Sequence, residues 1–346
     1  MSSPRPGFVV TVRGLPRPVW ILGVGQFVNR FGTFVAVFLV LYLTRIGFSI
    51  PEADIAVAFY GAGGIPASGL AGYFADRFGR RETLAIASLV GAAVTMGLAY
   101  ARGLPTVLVL SFLVGLFGNM YRPAANALVA DVVAEGDRVV AMGVQRFFIN
   151  AGFAAGPAVA GLLADRAFIF GFIFDAGTSV IFGVIALLYL PHGAPHRDRV
   201  EVRGEGLRAI VADRGFIIFL VASLLTSVVY LQANTTLPLW VRGNGYSNSV
   251  YGALVGLNGV VIIVAELLII SVTRQLPTLP TIAAGTLLVG LGFALTAPAT
   301  TIPFLAITVL VWSLGEMVAT PMAAAHVTNV APPHLRGRYS GAWSLT

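Results

Sequence analysis

Ten apolar runs, each roughly 20 residues or longer, follow one another along this 346-residue chain. The first spans about Val19 to Thr44, and the others lie near 53–75, 83–101, 105–130, 139–164, 168–190, 215–241, 249–272, 278–297 and 301–329. Each is long enough to cross the roughly 30 Å hydrocarbon core of a bilayer. Composition agrees, with 57% hydrophobic residues, 11% charged residues and a mean hydropathy of +0.86. Soluble domains carry about 25% charged residues, so lipid has to be the outer solvent of this chain. Inside lipid the backbone must satisfy its own hydrogen bonds, and runs of this length do so as helices. The expected class is an all-α membrane protein of ten spans. The first run lacks a small-residue cleavage site and is too long for a signal-peptide core, so it reads as an uncleaved span.

Charge placement predicts the orientation. All 22 basic residues are arginine. Arg30, Arg122 and Arg146 fall within spans, Arg45, Arg102, Arg166 and Arg242 lie on one side, and the remaining fifteen lie on the side of the N-terminus. The positive-inside rule then predicts a cytoplasmic N-terminus in a cell (inner) membrane. The net charge of +7 is spread over short loops rather than gathered on one face, so no nucleic-acid partner is expected. The chain has no cysteine, and its four histidines have no metal-site spacing. Disulfides, thiol chemistry and a Cys-ligated metal are thereby excluded. No cofactor and no metal are expected.

Between runs two and three stands a charged knot, Gly72-Tyr73-Phe74-Ala75-Asp76-Arg77-Phe78-Gly79-Arg80-Arg81. It resembles the loop between helices two and three of the major facilitator superfamily, Gly-x-Leu-Ala-Asp-Arg-x-Gly-Arg-Arg/Lys, with Phe74 in place of Leu. The resemblance implies two six-helix halves, transport by alternating access, and a cytoplasmic latch. In that latch Asp76 meets the positive end of helix eleven, while Arg77 and Arg80 tie to an acid at the inner end of helix four, where Asp131 stands. Gly72, Gly79 and Arg81 complete the motif. A plainer reading gives these arginines only the task of fixing topology.

An internal repeat points the same way. A shift of 198 residues aligns Gly47-Phe48-Ser49 with Gly245-Tyr246-Ser247, Pro123 with Pro321, Ala125 with Ala323, Arg138 with Arg336 and Gly143 with Gly341. The expected organisation is an N-terminal half over 1–190, a cytoplasmic linker over 191–214 and an incomplete C-terminal half over 215–346. By the same shift the chain holds ten spans and the start of an eleventh, so a C-terminally truncated member of the superfamily is expected. Within the linker, Gly206 to Asp213 is expected to form a short surface helix.

Charged groups inside spans cost at least about 2.5–3.5 kcal/mol each and therefore need a partner, a wet cavity or a function. On span one, Gln26, Asn29, Arg30 and Thr33 share a helical face, and Asn29-Arg30-Phe31-Gly32 resembles bacterial efflux members of the superfamily. On span ten, Thr308, Trp312, Glu316 and Thr320 recur every four residues. Taking up a proton is the cheapest way to accommodate a mid-membrane carboxylate such as Glu316, and proton coupling needs that behaviour. Arg30 and Glu316 are therefore coupling or substrate candidates, with structural ion pairing as the competing role. Asp175 and Glu266 are weaker candidates that are equally suited to capping or snorkelling. Asn119 with Arg122, and Tyr230 with Asn234, add polar positions to a candidate cavity wall. On span five, Gly152, Gly156, Pro157 and Gly161 resemble the Gly-x-x-x-Gly-Pro-x-x-x-Gly pattern of superfamily antiporters, against a plain reading as close-packing residues.

The function this supports is secondary active transport, read as proton-coupled export of amphipathic organic compounds or drugs. The partners would be a small molecule, protons and the bilayer, and the chain would be a monomer. Two alternatives stay open: uptake of a sugar, peptide or organic acid, and a non-transporting degenerate member or sensor. An enzyme is not expected. There is no phosphate-binding loop after a strand, and Gly61-Ala62-Gly63-Gly64 lies inside a span.

Overall fold

The computed structural model describes residues 12–134, 137–191, 210–273, 275–332, 335–343 and 346, and all regular structure among them is helical. The helices are α1 (Arg17–Phe31), α2 (Val35–Arg45), α3 (Ile50–Phe78), α4 (Arg80–Tyr100), α5 (Leu104–Val132), α6 (Arg138–Arg166) and α7 (Phe168–Tyr189). They are followed by α8 (Arg214–Leu231), α9 (Thr236–Gly243), α10 (Asn248–Thr273), α11 (Thr278–Ala294), α12 (Ile302–Val330) and α13 (Arg336–Trp343). Among the described residues nine segments are long and apolar enough to cross a membrane, counting α1 with α2 and α8 with α9 as one each. The tenth expected span is the shorter α11, at 17 residues. Most of the expected linker, and residues 206–209 of its expected helix, lie outside the described residues; Ile210 to Ala212 are helical.

Local chemistry sets many of the helix starts. Proline occupies the first turn of α1, α3, α5 and α12, where its missing N–H is not needed. α3 also carries a capping box, in which Ser49 N and Oγ both donate to Glu52 at 2.8 and 2.7 Å. At Gly79 the backbone turns with φ of 101° between α3 and α4, a conformation open to residues without a Cβ.

Two spans that read as continuous in the sequence are broken. Span one stops at Phe31 and restarts at Val35, and span seven stops at Leu231 and restarts at Thr236. The first break follows from Gly32, where a Cβ would collide with Thr178 of α7, and from Phe34, fully buried between Phe38, Phe168 and Phe172. Packing against α7 thus outweighs helix continuity. The 198-residue shift is visible in the helices themselves. α5 and α12, each of 29 residues with an interior proline, start at Leu104 and Ile302, and α6 and α13 start at Arg138 and Arg336.

The chain divides into two compact units, Met1–Arg197 with Tyr246–Gly256, and Asp198–Gly245 with Leu257–Thr346. In the first, α3 lies along α5, α4 packs on α5 and α7, and α1 packs on α6 and α7. Its core runs through Leu22, Leu84, Met120, Leu128 and Phe182. Lipid gives no hydrophobic reward for helix association, so close approach of small residues must supply the contact. A Cβ on Gly63 or Gly115 would strike the backbone of the facing helix, α5 or α3 respectively. In the second unit α11 lies along α12, with Gly285 and Gly315 in the same relation, and Phe216, Phe219, Val327 and Tyr339 form a separate core.

Candidate functional site

In the first unit, the break in span one leaves the N–H groups of Phe34 and Val35 without acceptors in their own helix. Asp175 on α7 supplies one, its Oδ2 accepting from both at 3.0 Å. This carboxylate on a positive helix end is a favourable cap. A small cavity of about 60 Å³ lies beside it, and its wall includes Asn29, Arg30, Thr33, Tyr60, Tyr121 and Ser179. Arg30 Nε donates to the Tyr121 hydroxyl at 2.8 Å, with the guanidinium 5.3 Å from that ring's centroid, and Asn29 Nδ2 donates to Ser179 Oγ at 3.0 Å. Three of the four residues of the predicted stripe therefore reach the cavity. Gln26 is not on its wall, and its buried Oε1 has no hydrogen-bond partner among the described residues.

The other expected wall residues of this half are placed elsewhere. Asn119 donates to the Gly115 carbonyl of its own helix at 2.8 Å, and Arg122 is exposed and outside the cavity wall. Tyr60, Tyr121 and Ser179 were not singled out from the sequence. Tyr60 is a single hydroxyl in an apolar run, Tyr121 adjoins Arg122 and Ser179 adjoins Thr178, so none stood out from its neighbours.

In the second unit, Glu316 of α12 is partly buried and accepts at Oε2 from the Tyr230 hydroxyl at 2.7 Å and from Asn258 Nδ2 at 3.1 Å. Asn258 Nδ2 also donates to Ser313 Oγ at 2.9 Å. Trp312 is only 2% exposed, stacked on Phe293 at 5.4 Å and met edge-on by Tyr230 at 5.6 Å. It is a wall of the aromatic cluster rather than a surface facing open space. Asn234 sits in the turn between α8 and α9, and Glu266 is partly exposed in the last third of α10. Asn258, Ser313 and Phe293 were missed, although Asn258 is a lone amide between Leu254 and Val264 in an apolar helix.

At the charged knot, Arg80 is 8% exposed and its Nε lies 3.4 Å from Asp131 Oδ2 on α5. Arg77 donates instead to Tyr73 one turn back at 2.8 Å, and Arg81 pairs with its neighbour Glu82 at 2.9 Å. Gly72 is exposed on α3, and the side chain of Asp76 lies outside the described residues. The glycine pattern of α6 has two faces. A Cβ on Gly152 or Gly156 would strike α1 at Phe27 to Phe31, beside Arg30, whereas one on Gly161 would strike Asn248 and Ser249 of α10. Pro157 lies inside α6, and its carbonyl is met by Gly252 of α10.

The sequence description of the Major Facilitator Superfamily matches residues 22–346. The chain belongs to the major facilitator superfamily. It is a multi-pass membrane protein of the secondary-transporter type, in a superfamily made up of transporters rather than enzymes. Among its superfamily relatives, the uncharacterized MFS-type transporter YqjV of Bacillus subtilis is 27% identical over 332 residues, covering 93% of this chain and 81% of the relative. The Na(+), Li(+), K(+)/H(+) antiporter of Planococcus maritimus is 24% identical over 321 residues, covering 79% and 73%. The crystal structure of the nucleoside transporter NupG aligns with a TM-score of 0.82 over 95% of this chain and 87% of that one, at 15% identity. That likeness is one of superfamily fold.

Proposed function

We propose that the chain is a proton-coupled exporter of amphipathic organic compounds, with lipophilic cations as the favoured class. The observation that carries this reading is Glu316, a carboxylate set against Tyr230, Trp312 and Phe293. The partly exposed Tyr230 ring beside the carboxylate offers a face to an organic cation, with Trp312 and Phe293 as the packed wall behind it, and the same carboxylate accepts a proton when the cation leaves. Ionised Glu316 accepts from Tyr230 and Asn258; protonated, it becomes a donor and one of those bonds must rearrange. Competition of proton and cation for one group is the simplest form of exchange. The relationship to an antiporter that exchanges monovalent cations for protons supports proton coupling. The cavity beside Arg30 is assigned to the same cycle, with Asp175 as the cap that holds span one broken.

In this reading residues 1–190 and 215–346 act as the two halves, joined by 191–214, and the N-terminus lies on the arginine-rich cytoplasmic side of a cell membrane. The Arg80–Asp131 pair belongs to the cytoplasmic latch. The test is proton release from proteoliposomes on addition of a lipophilic dye cation. Release is expected from the unaltered chain, with a fall to background in Glu316→Gln. Equal release from both would remove Glu316 from the mechanism.

A further inference from the structure

Arg30 is a cation inside a span, and it faces a cavity rather than an acid. Its Nε is spent on the neutral Tyr121 hydroxyl at 2.8 Å. Among the described residues no carboxylate lies within ion-pair distance of its guanidinium, and its two Nη groups make no hydrogen bond. A guanidinium within a membrane is costly without a counter-charge. Three hydroxyls share the cavity wall with it, on Thr33 in the break of span one and on Ser88 and Thr95, two turns apart on one face of α4. These residues are 8, 6 and 4% exposed, and none of their hydroxyls bonds to another described residue. Asp175 is on the wall as well, but its Oδ2 is taken by the Phe34 and Val35 amides and its charge is offset there by the positive end of α2.

We propose that this cavity is a binding site for a small monovalent anion, a halide or a short carboxylate, held by the Nη groups of Arg30 and the hydroxyls of Thr33, Ser88 and Thr95. Guanidinium and hydroxyl are both hydrogen-bond donors, which suits an acceptor-only ligand. One positive charge left uncompensated matches one negative charge and disfavours sulfate or hydrogen phosphate. Size sets the other limit. At about 60 Å³ the cavity has room for a few water molecules, well short of the roughly 300–1,000 Å³ that encloses a drug-sized compound. The anion is therefore a companion of the exported compound, with a place of its own in the first unit. Asn29 and Arg30 are only partly buried, so an ion can enter.

The test needs no transported substrate, so its failure is separable from failure of proton-coupled export. Thermal unfolding of the whole chain in lipid nanodiscs is followed as sodium chloride replaces sodium gluconate, whose anion is too large for the cavity, at constant ionic strength. Binding to the folded state alone raises the unfolding temperature, so a saturable rise is expected. Arg30→Gln should abolish the rise, and Arg30→Lys, which keeps the charge, should retain a weaker one. Ser88→Ala removes one neutral hydrogen bond and leaves the fold intact, so it should raise the half-saturating chloride concentration about five-fold. Sodium formate in place of chloride separates the two ligand classes: a rise with chloride alone assigns the site to halides, and a rise with both extends it to carboxylates. Equal unfolding in all three salts would overturn the site. So would a chloride response that is undiminished in Arg30→Gln, or one unchanged in Ser88→Ala.

Discussion

Replacing Asp175 separates a structural carboxylate from a proton-carrying one. Its Oδ2 holds the Phe34 and Val35 amides, each at 3.0 Å, at a helix break inside the first unit. Asp175→Ala strands both N–H groups where lipid and protein exclude water. A buried donor left unsatisfied costs about 1–3 kcal/mol, and loss of a helix cap costs about 0.5–2 kcal/mol. These describe overlapping effects and are not summed, so the expected loss is about 2–4 kcal/mol. Asp175→Asn keeps an oxygen of nearly the same position and loses only the charge on the helix end, about 0.3–1 kcal/mol. The assay is unfolding of the detergent-solubilised chain, followed alongside proton-coupled dye flux. The alanine variant should be clearly destabilised, and the asparagine variant should be near the parent in both stability and flux. An alanine variant of parental stability would refute the cap, and an asparagine variant of parental stability that has lost all coupling would make Asp175 a proton carrier as well.

Two further outcomes follow from the packing. The Arg80–Asp131 pair is largely buried on the arginine side, so Arg80→Ala or Asp131→Ala should each lose about 1.5–3 kcal/mol. The double variant should lose less than their sum in a cycle read by the same unfolding assay; strict additivity would show that the two do not interact. Gly252→Ala forces a methyl group into the Pro157 carbonyl and should cost about 1–3 kcal/mol. Gly61→Ala, with open space around it, serves as the neutral control, and equal thermal stability of the two would contradict the close contact of α6 and α10.

The sequence made the membrane class legible because span length and charge depletion are local properties that any fold of the chain must obey. The knot from Gly72 to Arg81 carried the family for the same reason, since its residues are contiguous. The candidate stripe on span one was mostly legible through helical spacing, which brought Asn29, Arg30 and Thr33 to the cavity wall. It failed at the breaks. Gly32 after Arg30 is a weak stop signal in a long apolar run, and what makes it a break is Thr178, Asp175 and the phenylalanines of another span. The spacing that grouped Trp312 with Glu316 was sound, yet Trp312 is buried in aromatic packing whose partners come from α8 and α11.

The sequence by itself thus determined that this chain is a helical membrane protein of the major facilitator superfamily, with acids and arginines where water is scarce. The tertiary structure decided what each of those groups meets. Asp175 finds backbone amides 140 and 141 residues away, Glu316 finds Tyr230 at a separation of 86 and Asn258 at 58, and Asp165 finds the start of α10 at 83 and 84. Helical periodicity fixes which side chains share a face over a few turns. It says nothing about which faces meet, and in lipid that choice falls to close packing of small residues and satisfaction of buried polar atoms.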